Sequence, residues 1–267
     1  MDEREILAAD LKDLYQPPTV SRKGENGKVF IIGGNEHYHG APLFCAKIAS
    51  KIVDLVFFSS VAENNVLVRK MRSGLADFIV IDRADVYDEA ARVDVILIGP
   101  GMGTGDDTKE ITDGLLKKFP DKKFVLDADA LRVLDKSLLN KNCVVTPNRQ
   151  EFKILFGQDA AKVTTQEAAK KYNCIVVAKG PETYVSDGES LRINQTGNAG
   201  MTKGGTGDVL AGLIAGLSCK NDLFLASCAA VFINGTAADA LKEKVSYYFN
   251  ASDLIEEIPA TMKKLLT

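Results

Sequence analysis

The chain reads as an α/β fold in which a mostly parallel central sheet is flanked by helices and carries an antiparallel edge hairpin. Short apolar runs of strand length recur at KVFIIGG (28–34), DLVFFSS (54–60), ADFIVI (76–81), DVILIG (94–99), KFVLDAD (123–129), CVVTP (143–147) and CIVVAKG (174–180). Segments with helical spacing separate most of them, the pattern of parallel strands joined by crossover helices. Later, TYVSDG and SLRIN flank Asp187-Gly188, a turn pair that closes an antiparallel hairpin.

Local chemistry justifies the elements in order. MDEREILAADLKDL is acidic and amphipathic and predicts a helix, so residues 1–22 read as an N-terminal helix and a connecting loop rich in Pro, Gly and polar residues. The run 28–34 ends on paired glycines, as a buried strand does at a turn, and residues 41–51 have the spacing of the next helix. Beyond the hairpin, residues 208–217 and 223–242 read as two apolar helices. No repeat, low-complexity tract or linker divides the 267 residues, and 46% hydrophobic content is enough for one core, so a single domain over 1–267 is expected.

Composition narrows the function classes. A formal charge of -3 and a pI near 5.6 give no basic surface for nucleic acid. Cys45, Cys143, Cys174, Cys219 and Cys228 are odd in number and contain no C-x-x-C pair, so reduced, buried thiols are expected rather than disulfides or a zinc site. No leader-like N-terminus and no uninterrupted run of about 18 apolar residues is present, which predicts a cytoplasmic protein without a membrane partner. His37 and His39 lack a third histidine or a neighbouring cysteine and read as loop residues rather than metal ligands.

The densest chemical signal is GNAGMTKGGTGDVLAG, residues 197–212. Glycines there let the backbone approach a ligand, and the helix that follows offers unpaired N–H groups to an anion. Neither a Walker lysine nor a dinucleotide glycine spacing is present, so this is an anion hole of another kind. Asp208 at its end has two readings: a helix cap, or a carboxylate that takes a proton from an attacking hydroxyl. Capping alone does not require Gly204, Gly205 and Gly207 immediately before it.

This G-x-G-D run resembles that of ribokinase-like small-molecule kinases, and the fuller string is similar to the version in ADP- or ATP-dependent NAD(P)H-hydrate dehydratases. RKGENGKVFIIGGNEHYHGAP (22–42), GPGMGTG (99–105), DADAL (127–131), TPNRQEF (146–152) and KGPET (179–183) match that family in order and spacing. The resemblance implies a ribokinase-like three-layer fold. It also implies a lyase that uses ADP or ATP with Mg²⁺ to phosphorylate hydrated NADH or NADPH, then eliminates phosphate to restore the cofactor.

Carried over position by position, the resemblance places Ala41, Gly101, Gly103, Asn148 and Asp208 against the hydrated dinucleotide, with Asp208 catalytic. Lys179, Gly180, Pro181, Glu182, Thr183, Gly204, Gly205, Thr206 and Gly207 would meet the adenine nucleotide. Asp127 and Asp129 would hold Mg²⁺ through water, with no direct metal ligand assigned. The chain has no room before Lys23 for the epimerase that often accompanies such a domain, so a separate NAD(P)H-hydrate epimerase is expected as a partner, and apolar helices suggest a homo-oligomer.

Two departures fall on the substrate side. Asn148 stands where the family usually has histidine, and Lys51, Ile52, Val53, Asp54 and Leu55 replace an alanine- and glycine-rich approach to the next strand. Two alternatives therefore stay open: a kinase for a small alcohol such as hydroxymethylpyrimidine, hydroxyethylthiazole or a sugar, and a nucleotide-binding sensor without catalysis.

Overall fold

The computed structural model describes residues 2–71 and 76–267. Its sheet runs in the order β1-β10-β9-β8-β7-β6-β5-β2-β3-β4. The strands are β1 Asp2–Glu5, β2 Lys28–Ile32, β3 Leu55–Ser59, β4 Ile79–Val80, β5 Val95–Ile98, β6 Lys123–Leu126, β7 Cys143–Val145, β8 Ile175–Ala178, β9 Thr183–Ser186 and β10 Ser190–Asn194. β9 is antiparallel to both its neighbours, β8 and β10, and every other pairing is parallel.

The continuous apolar runs follow from burial of both sheet faces. Val29 and Ile31 of β2, Val95 and Leu97 of β5, and Val125 of β6 point into one core. Phe30, Ile32, Ile96, Ile98, Phe124 and Leu126 point into the other. Helices α1 Gly40–Ala49, α8 Thr206–Ser218, α9 Leu223–Val245 and α10 Ala251–Leu266 cover the first face. The second is covered by α3 Val86–Ala90, α4 Asp106–Lys118, α5 Asp129–Val133, α6 Arg149–Phe156 and α7 Lys162–Tyr172. Helix α2, Ala62–Lys70, links β3 to β4.

α8 sits between α1 and α9 and is apolar on nearly all sides, which requires close approach. A Cβ on Gly212 would lie 2.6 Å from the Cys45 carbonyl oxygen, so only a glycine lets the two helix backbones meet there. α9 is long and apolar enough to cross a membrane by length and composition, and 67% of its apolar window is buried inside the protein.

Three local expectations are corrected. Of the expected helix over 1–14, Met1 lies outside the described residues and the rest is not an α-helix: Asp2–Glu5 is a strand paired in parallel with β10, followed by a short 3-10 turn at Ala8–Leu11. Ion pairs of Arg192 with Asp2 and of Arg4 with Asp10 hold that segment on the sheet edge. The antiparallel hairpin is accordingly flanked by one more strand rather than forming the outermost edge. ADFIVI contributes only the two-residue β4, because pairing with β3 is confined to Ile79 and Val80. Helix α10, which the patterning did not suggest, begins at Asn250, whose side chain accepts from the backbone N–H of Ser252 and Asp253.

Candidate active site

The strand order reverses between β2 and β5, and open α/β sheets bind ligands at the carboxyl ends of strands flanking such a switch point. β2 runs out into Gly33-Gly34 and β5 into the Gly99–Gly105 loop, and the Gly34 N–H donates to the Pro100 carbonyl at 2.8 Å. Gly101, at φ +68, faces Tyr38 and Ala41, whose Cβ would be 3.4 Å from a Cβ added at Gly101. The Gly103 N–H donates to Asp129 Oδ2 at 2.8 Å. Ala41, Gly101, Gly103 and Asp129 thus meet although they come from three separate parts of the chain.

Next to this group, Asp127 follows β6 and is 2% exposed. Its Oδ1 accepts from Thr146 Oγ1 at 2.7 Å and pairs with Lys179 Nζ at 2.8 Å. Lys179 leaves the end of β8, tethered by its N–H to the Pro147 carbonyl, and its Nζ lies 3.5 Å from where a Gly207 Cβ would stand. Burial pushes the Lys179 pKa down, but Asp127, Glu151 and Asp208 outweigh it and hold the ammonium above its usual value.

Asp208 is the third residue of α8, so it is not the cap; Gly205, at φ +95, occupies that position and no side chain caps this helix. Among the described residues the Asp208 carboxyl makes no hydrogen bond. Its pKa is pushed up to about 7, first by burial and then by the negative charge of Asp127, with Lys179 opposing. The thiol of Cys45 donates to the Asp208 carbonyl at 3.2 Å and joins α1 to the start of α8. A carboxyl with an apparent pKa near neutrality at the mouth of an uncapped helix is suited to accept a proton from a hydroxyl.

A cavity of about 600 Å³ opens beyond Lys179. Gly180, Pro181 and Thr183 form one wall, Thr206 and Gly207 the start of α8 another, and residues 194–202 with one face of α9 close it. Of the expected nucleotide-side residues, Glu182, Gly204 and Gly205 do not line it. Glu182 accepts from Tyr184 and Gln195 at the surface, and Gly205 is wedged against Phe44 and Ala251.

Asn148, expected beside Ala41 and Gly101, lines this cavity with Lys179 instead. Its Oδ1 is already committed to capping α6 through the N–H groups of Gln150 and Glu151. Thr146, Glu151 and the 194–199 loop were not anticipated as site residues. The first two lie within TPNRQEF, where they are legible only as motif positions.

The residues present fit magnesium only as a companion of bound phosphates. Asp127 and Asp129 are engaged by protein donors, and the described residues contain no group of three or more candidate metal ligands. A second cavity, of about 750 Å³, is lined by Gly34, His37, Arg83 and, from the Gly99–Gly105 loop, Met102, among others.

The family model described as NAD(P)H-hydrate dehydratase matches residues 29–260. The chain is 40% identical over 261 residues to the bifunctional NAD(P)H-hydrate repair enzyme of Methanocaldococcus jannaschii, covering 95% of this chain and 52% of that protein. It is 36% identical to the ADP-dependent (S)-NAD(P)H-hydrate dehydratase of Nitrosopumilus maritimus, covering 97% of each. It therefore spans about half the length of the bifunctional relatives it matches and nearly all of the single-activity one. Among solved structures, a ribokinase-like superfamily protein of Enterococcus faecalis superposes with a TM-score of 0.88 at 25% identity, over 98% of this chain and 96% of the other.

Proposed function

The chain belongs to the NAD(P)H-hydrate dehydratase family, and from that membership and the site geometry we propose that it restores hydrated NADH or NADPH to NAD(P)H with ADP or ATP as phosphoryl donor. The observation that carries the reading is Asp208, a carboxyl of raised pKa that makes no hydrogen bond among the described residues, held to α1 through Cys45 and next in the chain to Gly207 on the wall of the cavity.

In this reading the hydrated nicotinamide lies against Ala41 and the Gly99–Gly105 loop, and the nucleotide fills the cavity with its phosphates at Lys179 and α8. Asp208 accepts the proton of the substrate hydroxyl as its oxygen attacks the terminal phosphorus, and the bond to the departing nucleotide breaks. Lys179 and the N–H groups at the start of α8 stabilise the charge on the transferring group. Phosphate then leaves with the C–O electron pair, a proton leaves the adjacent carbon, and the ring double bond returns. Magnesium, when bound with the nucleotide, supplies charge neutralisation. A cytoplasmic location fits the free, buried state of Cys45, Cys143, Cys174, Cys219 and Cys228.

The test is recovery of reduced-nicotinamide absorbance from purified hydrate in the presence of magnesium and ADP or ATP. Recovery that depends on nucleotide and is lost in Asp208→Ala supports the proposal. A stable phosphorylated alcohol without recovery would select a simple kinase instead.

A further inference from the structure

We infer that Asp239, on α9 behind the cavity wall, is a positioning residue for the nucleotide: it clamps the entry of the glycine run and holds that wall in shape before the nucleotide arrives. This rests on the nucleotide occupying the cavity beside Lys179. Gly197, Gly200, Gly204, Gly205 and Gly207 all fall within residues 197–207. Such a run is costly to order, and a wall built from it binds weakly unless other contacts fix it in advance. Asp239 supplies them with both carboxylate oxygens: Oδ2 accepts from the Gly197 N–H at 2.9 Å and Oδ1 from Asn198 Nδ2 at 2.9 Å. Among the described residues this carboxylate makes no other hydrogen bond and no ion pair, so its charge is directed at the loop alone. Aspartate disfavours a helix interior, and at this place in α9 the loop contact is what it gains.

The clamp is anchored on one face of α9 and transmitted along the loop. Phe232, Gly235 and Asp239 stand at i, i+3 and i+7. The Phe232 carbonyl accepts from Thr196 Oγ1 at 3.3 Å, and a side chain at Gly235 would overlap Thr196. Asn198 Oδ1 in turn accepts from the Gly200 N–H at 2.9 Å and opens the 3-10 turn Ala199–Thr202. The Met201 carbonyl accepts from Thr206 Oγ1 at 2.6 Å, and Thr206 is the first residue of α8. Gly197, Asn198, Met201 and Thr206 line the cavity and Asp239 does not, so it acts on the nucleotide only through them. Donors and acceptors are matched: the N–H groups of Gly197 and Gly200 take one Asp239 oxygen and the Asn198 oxygen, which leaves the second Asp239 oxygen for the Asn198 amide. With Asp239→Asn there is one acceptor too few, whichever way either amide is turned. Asn198→Asp combined with Asp239→Asn restores the count, with the carboxylate moved to the loop.

The experiment compares the native full chain, Asp239→Asn and the exchanged pair Asn198→Asp with Asp239→Asn. It combines calorimetric titration with ADP, steady-state dehydration kinetics, and hydrogen exchange of residues 196–207 in the nucleotide-free protein. In Asp239→Asn that segment should exchange faster. ADP should bind about tenfold more weakly, the result of a wall formed about a tenth of the time. KM for ADP should rise with it, while kcat and the KM for the hydrate stay near native values. In the exchanged pair the segment should return to the native exchange rate, a rescue that a general loss of packing at position 239 would not give.

Unchanged ADP affinity in Asp239→Asn overturns the inference and leaves the proposed function standing, since the contact is then structural only. A parallel fall of kcat and of both affinities also overturns it, as does exchange that stays fast in the exchanged pair. A native protein that binds ADP but does not restore the hydrate overturns the proposed function alone. Failure of the native protein to bind ADP overturns both.

Discussion

Replacing Asp208 by asparagine should make the protein inactive and, at alkaline pH, more stable relative to the native chain. The native carboxyl has a pKa of about 7, against about 3.9 in an unfolded chain. Because the folded pKa is the higher one, the fold favours the protonated form. Its contribution is whole below the unfolded pKa, erodes as pH rises from there, and is gone once pH passes the folded value. Between about pH 5.5 and 8.5 the erosion amounts to about 2 kcal/mol, or about 4–8 °C in Tm for a chain of this size. Asparagine keeps the shape and does not titrate.

Thermal melts of both proteins at those two pH values are the assay, with the difference between their Tm values as the readout, so that other titrating groups cancel. That difference should shift by about 4–8 °C in favour of Asp208→Asn at the higher pH. In parallel, kcat/KM of the native enzyme should rise with pH and level off above about 7, as the base form of Asp208 is reached. A Tm difference that does not move with pH would refute the argument that burial and Asp127 hold this carboxyl protonated.

Three further outcomes follow from the same geometry. Lys179→Met leaves the buried Asp127 carboxylate without its cation, and urea denaturation should show a loss of about 3–5 kcal/mol, with nucleotide binding lost as well. Gly212→Ala places a Cβ 2.6 Å from the Cys45 carbonyl and 2.7 Å from its Cα, both backbone atoms; pushing α1 from α8 should cost about 1–3 kcal/mol by chemical denaturation and lower turnover by displacing Asp208. Asn148→Ala removes the cap of α6 and should cost about 1 kcal/mol, whereas Asn148→Ser should restore most of that stability; if Asn148 acts only as a cap, turnover should track stability across the two variants.

Much of the architecture was legible because burial on both faces of a parallel strand leaves an unbroken apolar run. Val29 to Ile32 and Val95 to Ile98 read as strands whether or not their neighbours are known. The same reasoning failed at Asp2–Glu5, where a charged segment with every residue exposed carries no strand pattern and is held by pairing with Ser190–Ile193 from the other end of the chain. Helix α10 did have a readable start, in Asn250 followed three residues later by Asp253, a reciprocal cap that patterning by apolar residues alone passes over.

Asp208 and its glycines were legible as chemistry, since crowded glycines before a helix have few purposes other than close approach. Whether Asp208 caps or ionises near neutrality was not, because that depends on charges brought next to it from positions 127, 151 and 179. The sequence by itself determined the strands, the glycine turns and the kinds of group available at their ends. Tertiary structure alone decided that Lys179 pairs with Asp127 and that Asn148 lines the cavity beside Lys179. The physical reason is range: periodicity and turn chemistry act between residues a few positions apart, whereas desolvation and charge act through space, between groups that only the folded sheet brings together.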